Sequence, residues 1–225
     1  MRRGRSRYFT VWGVIAACLV VSVLWMFLLH LVATGWQSQC AKAYSDGYDS
    51  GKSEVKEVVV EESVNYMPLF LQKDMRWYGN EYADGCIGTH GCGLTAAAMA
   101  LSYISGELIT PDRLASLSGE EFISDGINDP DKICDWLSDN YDIAYSGEVW
   151  TLEEGLKLVN EGYCVLASMS GKLGERVYDS HVILIYGMYG IDYLIRDPDD
   201  GDNSIRSFSE EELRETTWIS FNGIK

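Results

Sequence analysis

Residues 88–104 read GTHGCGLTAAAMALSYI, and this stretch forms the centre of the predicted fold. The alanine-rich part, from Leu94 to Ile104, consists of good helix formers, and Ser105-Gly106 closes it with a typical helix end. The sequence therefore predicts a helix that begins close to Cys92.

A cysteine at a helix start has two interpretations. Unpaired N–H groups and the positive end of the helix dipole favour a thiolate, the nucleophilic form, and the flanking Gly91 and Gly93 would let a substrate backbone approach the sulfur. A structural role is the alternative, and it is the more common one for a cysteine in this position. A catalytic role for Cys92 requires a base and donors for an oxyanion elsewhere in the chain.

Three histidines are available as a base. His30 lies in an N-terminal apolar run, and His90 lies on a predicted loop, where we expect its side chain to point away from Cys92. His181 opens the predicted strand HVILIYGM after the polar stretch ERVYDS, so its ring is expected at a strand end. We favour His181, with an ordinary surface or core histidine as the alternative.

Two further residues complete the candidate set. If HVILIYGM and DYLIRD form a hairpin about Tyr189-Gly190, Asp197 would lie beside His181 and orient it. The alternative for Asp197 is a turn residue in the acidic loop DPDDGD, which could also attract calcium. The side-chain amide of Gln72 could join the Cys92 N–H as an oxyanion donor, or Gln72 could be a surface strand residue.

The order of the remaining patterns predicts the fold class. Helix starts are expected at Thr110-Pro111, at Asp129-Pro130 and at Thr151, which Glu153 and Glu154 follow. Three short strand-like runs come later, namely YCVLASM, HVILIYGM and DYLIRD. Helices followed by a mainly antiparallel sheet indicate an α+β fold.

Four separated motifs carry a family resemblance. FLQKDMRWYGNEY, GCGLTAAAMALSYI with TPDRLA close behind, and HVILIYGMYGIDYLIRDPD resemble the papain-like cysteine peptidases related to the bacteriocin-processing double-glycine peptidases. The resemblance runs from about Pro68 to Asp199. It implies a papain-like fold in which Cys92 is the nucleophile, His181 the base, Asp197 the residue that orients His181, and Gln72 an oxyanion donor.

The chain departs from that family in two ways. Members that remove double-glycine leaders are typically fused to an ABC exporter and act in the cytoplasm, whereas this chain has no ATPase motif, so leader processing does not follow. Cys86 and His90 are additions beside the nucleophile. Cys86 is expected to be structural, with reversible disulfide protection of Cys92 as the alternative.

The N-terminal segment predicts a membrane anchor. Residues 11–34 contain no Asp, Glu, Lys or Arg, and a helix of this length reaches ~36 Å, enough to cross a bilayer. Four arginines precede the run, which predicts a cytoplasmic N-terminus and an extracellular remainder. The alternative is a cleaved signal peptide that ends near Ala41-Lys42-Ala43.

These observations predict four segments and a location. They are a cytoplasmic basic tail (1–7), a transmembrane signal anchor (8–35), an extracellular stalk (36–65) and a papain-like peptidase domain (66–225) on a bacterial cell membrane. In the stalk, VKEVVVEE could instead pair as an edge strand of the domain.

The exported part is strongly acidic. None of the 34 acidic and only four of the 18 basic residues precede residue 36, so the remainder carries a net charge of −20. This charge excludes nucleic acid as an expected partner and is consistent with a soluble domain or with attraction to cationic substrates. The expected partners are a peptide or protein substrate and, through the N-terminal helix, the membrane.

Cysteine usage leaves several pairings open and gives no metal site. Five of the six cysteines follow the apolar run, an odd number, so at least one thiol is left over after pairing. Cys40 could pair between chains, and Cys134 and Cys164 could form a disulfide or be core residues. Without a CxxC pair or a histidine-rich cluster, we expect no metal and no cofactor.

Two other function classes compete with peptide hydrolysis. A cell-wall amidase or endopeptidase, or a transglutaminase-like enzyme, would use the same acyl-transfer chemistry, although wall enzymes usually carry aspartate directly before the cysteine, where this chain has Gly91. A catalytically silent binding module would keep the fold without the reaction. The complete set of Cys, His, Asp and Gln favours an enzyme.

Overall fold

Residues 66–225 are described by a computed structural model, and they form seven helices and ten strands. The helices are α1 (Ile87–His90), α2 (Cys92–Ser105), α3 (Pro111–Ser118), α4 (Pro130–Tyr141), α5 (Leu152–Asn160), α6 (Gly201–Ser204) and α7 (Glu210–Arg214). The strands are β1 (Glu81–Tyr82), β2 (Gly85–Cys86), β3 (Ile123–Ser124), β4 (Ile127–Asn128), β5 (Tyr145–Val149), β6 (Cys164–Leu173), β7 (Arg176–Tyr189), β8 (Asp192–Arg196), β9 (Ser207–Phe208) and β10 (Thr217–Ile224).

The main sheet has six strands in the order β5-β10-β6-β7-β8-β9, and every neighbouring pair is antiparallel. Strands β1–β2 and β3–β4 form two separate small hairpins. The α+β class with an antiparallel sheet is therefore confirmed. The predicted order is only approximate, because β5 precedes α5, and because α6 and α7 interrupt the later strands.

Alternating side chains bury the main sheet on both faces. Leu166 of β6 and Leu184 of β7 belong to a core that contains helices α2, α3 and α4, whereas Val165 and Ile183 belong to a second core with α5 and α7. This period of two places successive residues of a strand on opposite faces. The sheet is thus the middle layer between two groups of helices.

Helix α2 is the most deeply buried helix of the first core. Every residue from Gly93 to Ser102 is buried, and Gly106 ends the helix in the left-handed conformation, as the sequence predicts. Small alanine side chains let the helix approach its neighbours closely. Helix α2 packs against β7, which brings the beginning of α2 to the middle of the main sheet.

The predicted helix starts are also observed. The side chain of Asp129 accepts hydrogen bonds from the first turn of α4, and Thr151 forms a capping box with Glu154 at the start of α5. Thr110 occupies the N-cap position of α3 without a side-chain bond. These local patterns fix where the helices begin.

The predicted basic tail, transmembrane anchor and stalk all lie outside the described residues. Among the helices of residues 66–225, none combines the length and the apolar content that crossing a membrane requires.

Candidate active site

Cys92 is the first residue of α2, as predicted, and its side chain is half-buried. The N–H groups of a first helical turn have no partner within the helix, and they lie at the positive end of its dipole. The thiol therefore has both an open side and a local environment that favours negative charge.

The two glycines beside Cys92 are explained by close packing within the protein. A Cβ atom at Gly91 would overlap the backbone oxygen of Ile87, and a Cβ atom at Gly93 would lie 2.8 Å from Cβ of Asn128. The expectation that these glycines leave room for a substrate backbone is wrong at these points, because the chain's own atoms occupy the space.

His181 lies inside β7 and not at a strand end. The polar stretch before it continues the strand from Arg176, and His181 pairs with Met169 of β6. Its side chain is buried, with 4% of its surface exposed. The expected position at a strand end is therefore wrong, because β6 and β7 continue as a hairpin beyond the histidine.

Asp197 contacts His181, but not through the predicted register. The Nε2 atom of His181 lies 2.8 Å from Oδ1 of Asp197. The last paired residue of β8, Arg196, lies opposite Leu184, and an irregularity shifts the register between Ile185 and Gly187. The two side chains therefore meet diagonally at the end of the pairing and are not directly opposite each other.

Four hydrogen-bond donors surround the fully buried carboxylate of Asp197. Besides His181, Oδ1 accepts from the N–H of Asp199 at 2.9 Å. Oδ2 accepts from the hydroxyl of Tyr178 at 2.7 Å and from the amide of Asn203 at 2.9 Å. These bonds compensate the cost of burying a negative charge.

Tyr178 also covers the imidazole. Its ring stacks on His181 with centroids 4.2 Å apart and an interplanar angle of 7°. Burial and the nearby carboxylate of Asp197 raise the pKa of Tyr178, so its hydroxyl stays protonated and donates. Tyr178 thus fixes both members of the histidine–aspartate pair.

The charge state of the pair follows from these contacts. Burial lowers the pKa of His181, but hydrogen bonds and charge interactions with Asp197 and Cys92 outweigh burial and raise it to about 9. Burial raises the pKa of Asp197, whereas the bond from His181 lowers it, with a net pKa below its ordinary value. The geometry therefore favours an imidazolium between a carboxylate and the thiol of Cys92.

Gln72 is buried and joins the two sides of the site. Its backbone N–H donates to the carbonyl of Pro198 at 2.8 Å, and its side-chain Nε2 donates to the carbonyl of Gly88 at 3.1 Å. The alternative of a surface strand residue is therefore wrong. Within residues 66–225, the Oε1 atom of Gln72 has no hydrogen-bond partner.

His90 and Cys86 have partners other than the thiol of Cys92. His90 ends helix α1, so the predicted loop is wrong, and its Nδ1 lies 2.8 Å from Oγ1 of Thr89. Cys86 is buried, and its sulfur lies 3.4 Å from the same Thr89 oxygen at the start of α1. Both contacts agree with local structural roles.

Cys134 and Cys164 are buried free thiols, so the structure contains no disulfide between them. Burial raises the pKa of Cys164 to about 12 and raises that of Cys134 as well. Both thiols stay protonated near neutral pH, as expected for core residues.

The acidic loop that follows β8 uses its carboxylates for protein contacts. Asp199 forms ion pairs of 2.6 Å with both Lys73 and Arg176, and Asp200 caps helix α6. In the part of the chain that the structure describes, no cluster of acidic, histidine or cysteine side chains could hold a metal ion. Calcium binding by this loop therefore has no structural support.

Sequence reasoning missed three residues of the site. Asn128 contacts the sulfur of Cys92 from a hairpin 36 residues away, and no local pattern indicates this contact. Asn203 likewise reaches Asp197 from helix α6. An aromatic residue in the polar stretch ERVYDS was the available signal for Tyr178.

The solved structures that match this chain include the following two. One is a protein described as a C39-like peptidase from Bacillus anthracis, with 16% identity and a TM-score of 0.45 over 74% of this chain and 98% of that chain. The other is the peptidase domain of Streptococcus ComA, a bifunctional ABC transporter involved in quorum sensing, with 15% identity and a TM-score of 0.42 over 60% of this chain and 91% of that chain. No curated protein matches the sequence significantly.

A family model provides the assignment. The model of the Peptidase_C39-like family matches residues 64–225, which include every residue of the site described above and most of the chain. The chain therefore belongs to the Peptidase_C39-like family.

Proposed function

We propose that the protein is a cysteine peptidase that hydrolyses peptide bonds, with Cys92 as nucleophile, His181 as acid and base, and Asp197 as the residue that orients His181. One observation carries the proposal. His181 interacts with the thiol of Cys92 and, through Nε2, with the buried carboxylate of Asp197. This is the arrangement that thiol nucleophiles require.

The chemistry follows in two stages. The Cys92 thiolate attacks the peptide carbonyl and forms a C–S bond, while the carbonyl electrons move to oxygen. The imidazolium of His181 then gives its proton to the leaving amine as the C–N bond breaks, which leaves an acyl-enzyme. Water attacks the acyl carbon and gives a proton to His181. The C–S bond then breaks, which releases the acid and restores the Cys92 thiolate.

The negative oxygen of each tetrahedral intermediate needs donors. We assign this role to the backbone N–H of Cys92 and to the side-chain amide of Gln72. Nε2 of Gln72 carries two hydrogens, and the carbonyl of Gly88 accepts only one of them. Burial of Gln72 supports the role, because such a donor acts most strongly where water is excluded.

The location is a separate part of the proposal and rests on the sequence alone. The apolar run after four arginines supports a single-pass anchor with its N-terminus in the cytoplasm and residues 66–225 outside the cell. Protease added to intact cells should degrade the region after the anchor. Protection of that region until the cells are lysed would contradict an extracellular domain.

The activity is tested with the full-length chain in detergent. Casein and a peptide library are incubated with wild type, with Cys92→Ala and with Cys164→Ala, which removes a buried core thiol. Cleavage should be lost only in Cys92→Ala, and a peptidyl electrophile should label only Cys92. Undiminished cleavage by Cys92→Ala would refute the proposal.

The same preparations separate the other acyl-transfer reactions. Purified peptidoglycan is assayed for released stem peptides, and a primary amine is offered as acceptor in place of water. If these assays give products that depend on Cys92, and no peptide in the library is cleaved, the activity is wall hydrolysis or transglutamination and not peptide hydrolysis.

A further inference from the structure

Asn128, the last residue of β4, forms a compact hydrogen-bonded centre beside Cys92. Its Oδ1 accepts from the backbone N–H of Leu94 at 3.2 Å and from the hydroxyl of Tyr82 at 2.8 Å. Its Nδ2 donates to the backbone oxygen of His90 and lies 3.7 Å from the sulfur of Cys92. All the hydrogen-bonding positions of this amide are therefore directed at named partners.

The surrounding backbone fixes which end of the amide faces the sulfur. The N–H of Leu94 requires an acceptor, and the carbonyl of His90 requires a donor. Exchanging oxygen and nitrogen would therefore break both bonds. An N–H group of Asn128, and not its oxygen, is thus held toward Cys92.

Gly93 makes this approach possible. A Cβ atom at Gly93 would lie 2.8 Å from Cβ and 2.9 Å from Cγ of Asn128, closer than such atoms pack. The missing side chain of Gly93, the second glycine of the Gly-Cys-Gly sequence, therefore leaves room for Asn128, which is distant in the sequence.

We propose that Asn128 is a further residue of the site, whose side-chain N–H donates a hydrogen bond to the Cys92 thiolate and holds the sulfur in position. The inference rests on the proposed function, because it concerns the reactive form of the same cysteine. Donation to an ion is stronger than donation to a neutral group, so the bond stabilises the thiolate more than the thiol.

Within residues 66–225, two titratable groups from other elements interact with Cys92. They are His181 of β7 and Tyr82 of β1, both of which interact electrostatically with the thiol. Burial raises the pKa of Tyr82, so Tyr82 stays neutral, and His181 supplies the positive charge. Asn128 adds a neutral donor. Its contribution to the thiolate can be separated from that of His181 by the effect of Asn128 variants on the pH profile of Cys92 alkylation.

The test is the rate at which iodoacetamide alkylates Cys92 in the full-length chain between pH 4 and 9. In Asn128→Ala and Asn128→Asp, we expect the acid limb to move about one pH unit to higher pH, with about tenfold slower alkylation on that limb. The rates of wild type and variants should converge at pH 9. Ile127→Ala, an exposed neighbour on β4, is the control and should keep the wild-type profile.

The outcomes distinguish the inference from the proposed function. A merely structural role of Asn128 would lower alkylation equally at every pH, and an unchanged acid limb in both variants would likewise overturn the inference. If Asn128→Asp does not fold, as judged by circular dichroism, the uncharged Asn128→Ala variant decides. Wild-type Cys92 that reacts no faster than free cysteine near pH 6 would instead contradict the proposed function.

Discussion

The cysteine side and the histidine side of the site are held by different interactions. Cys92 is half-buried, and the groups on its own side of the site are uncharged, among them the amide of Asn128 and the first turn of α2. His181 and Asp197 are buried, and four donors converge on the carboxylate. One side is organised by close packing and the other by charge.

This difference separates reactivity from stability. Removing a polar side chain beside Cys92 leaves only neutral groups without a partner, which costs less than an unpaired charge, so its main effect should fall on the chemistry of the sulfur. A change beside Asp197 leaves a buried charge or a buried donor without its partner, which costs folding free energy as well. The following predictions test that contrast.

Asp197→Asn should have the largest effect. The new NH2 group would face donors, because both carboxylate oxygens now only accept hydrogen bonds. We expect the free energy of unfolding to fall by about 3–5 kcal/mol and kcat/KM by at least a hundredfold. Urea unfolding and peptide hydrolysis measure the two effects.

Asp202→Asn is the matched control for this prediction, because Asp202 is an exposed residue of the neighbouring helix α6. Asp202→Asn should change neither the free energy of unfolding nor kcat/KM appreciably. A loss of stability in Asp202→Asn as large as that in Asp197→Asn would show that the loop, and not the buried charge, is responsible.

Gly91→Ala should be the most damaging change on the cysteine side. The new methyl group would overlap the backbone oxygen of Ile87, which cannot turn aside, whereas the methyl group of Gly93→Ala meets the side chain of Asn128. We expect Gly91→Ala to lower the free energy of unfolding by about 1–3 kcal/mol, and Gly93→Ala by less. Equal losses, measured by urea unfolding, would contradict this account.

The charge of His181 predicts an alkaline limb. Its pKa is raised to about 9, so hydrolysis by an imidazolium–thiolate pair should persist to that pH and then fall about tenfold per pH unit. The free energy of unfolding should change with pH in the same direction as the rate. The stabilising contribution of protonated His181 is complete below its ordinary pKa of 6.5 and disappears as the pH rises through 9.

Rate profiles and urea unfolding between pH 6 and 10 measure both consequences of this charge. A rate that already declines by pH 7 would contradict the raised pKa of His181.

Tyr178→Phe should have the smallest effect. The ring that stacks on His181 is retained, and Asp197 keeps three of its four donors. We expect a loss of about 1 kcal/mol in stability and a decrease of a few-fold in kcat. Tyr178→Leu removes the stack as well, and it should lower the pH of the alkaline limb. An unchanged alkaline limb in Tyr178→Leu would show that the tyrosine ring has no effect on the imidazolium of His181.

Much of the helical framework could be predicted from the sequence because its signals are local. Asp129 bonds to the N–H groups of the next residues of α4, and Gly106 ends α2 by its own backbone conformation. Such interactions involve neighbours in the chain, so the residue type and its position are sufficient to indicate them.

The register of β7 with β8 and the contact of Asn128 with Cys92 could not be predicted in the same way. An irregularity at Tyr186 displaces the pairing of β7 with β8 by one residue, and a shift of this kind leaves no mark in the pattern of apolar residues. Asn128 reaches Cys92 only after β3 and β4 have folded back on α2. Contacts of this kind depend on tertiary packing.

The bond between the N–H of Gln72 and the carbonyl of Pro198 ties the Gln72 segment to the histidine side of the site through main-chain atoms alone. Side-chain substitution at position 72 leaves that tether in place unless the new residue is proline, which lacks the N–H. Gln72→Ala therefore removes the amide and its bond to the carbonyl of Gly88, whereas the main-chain bond to Pro198 keeps the segment that carries residue 72 attached to the histidine side.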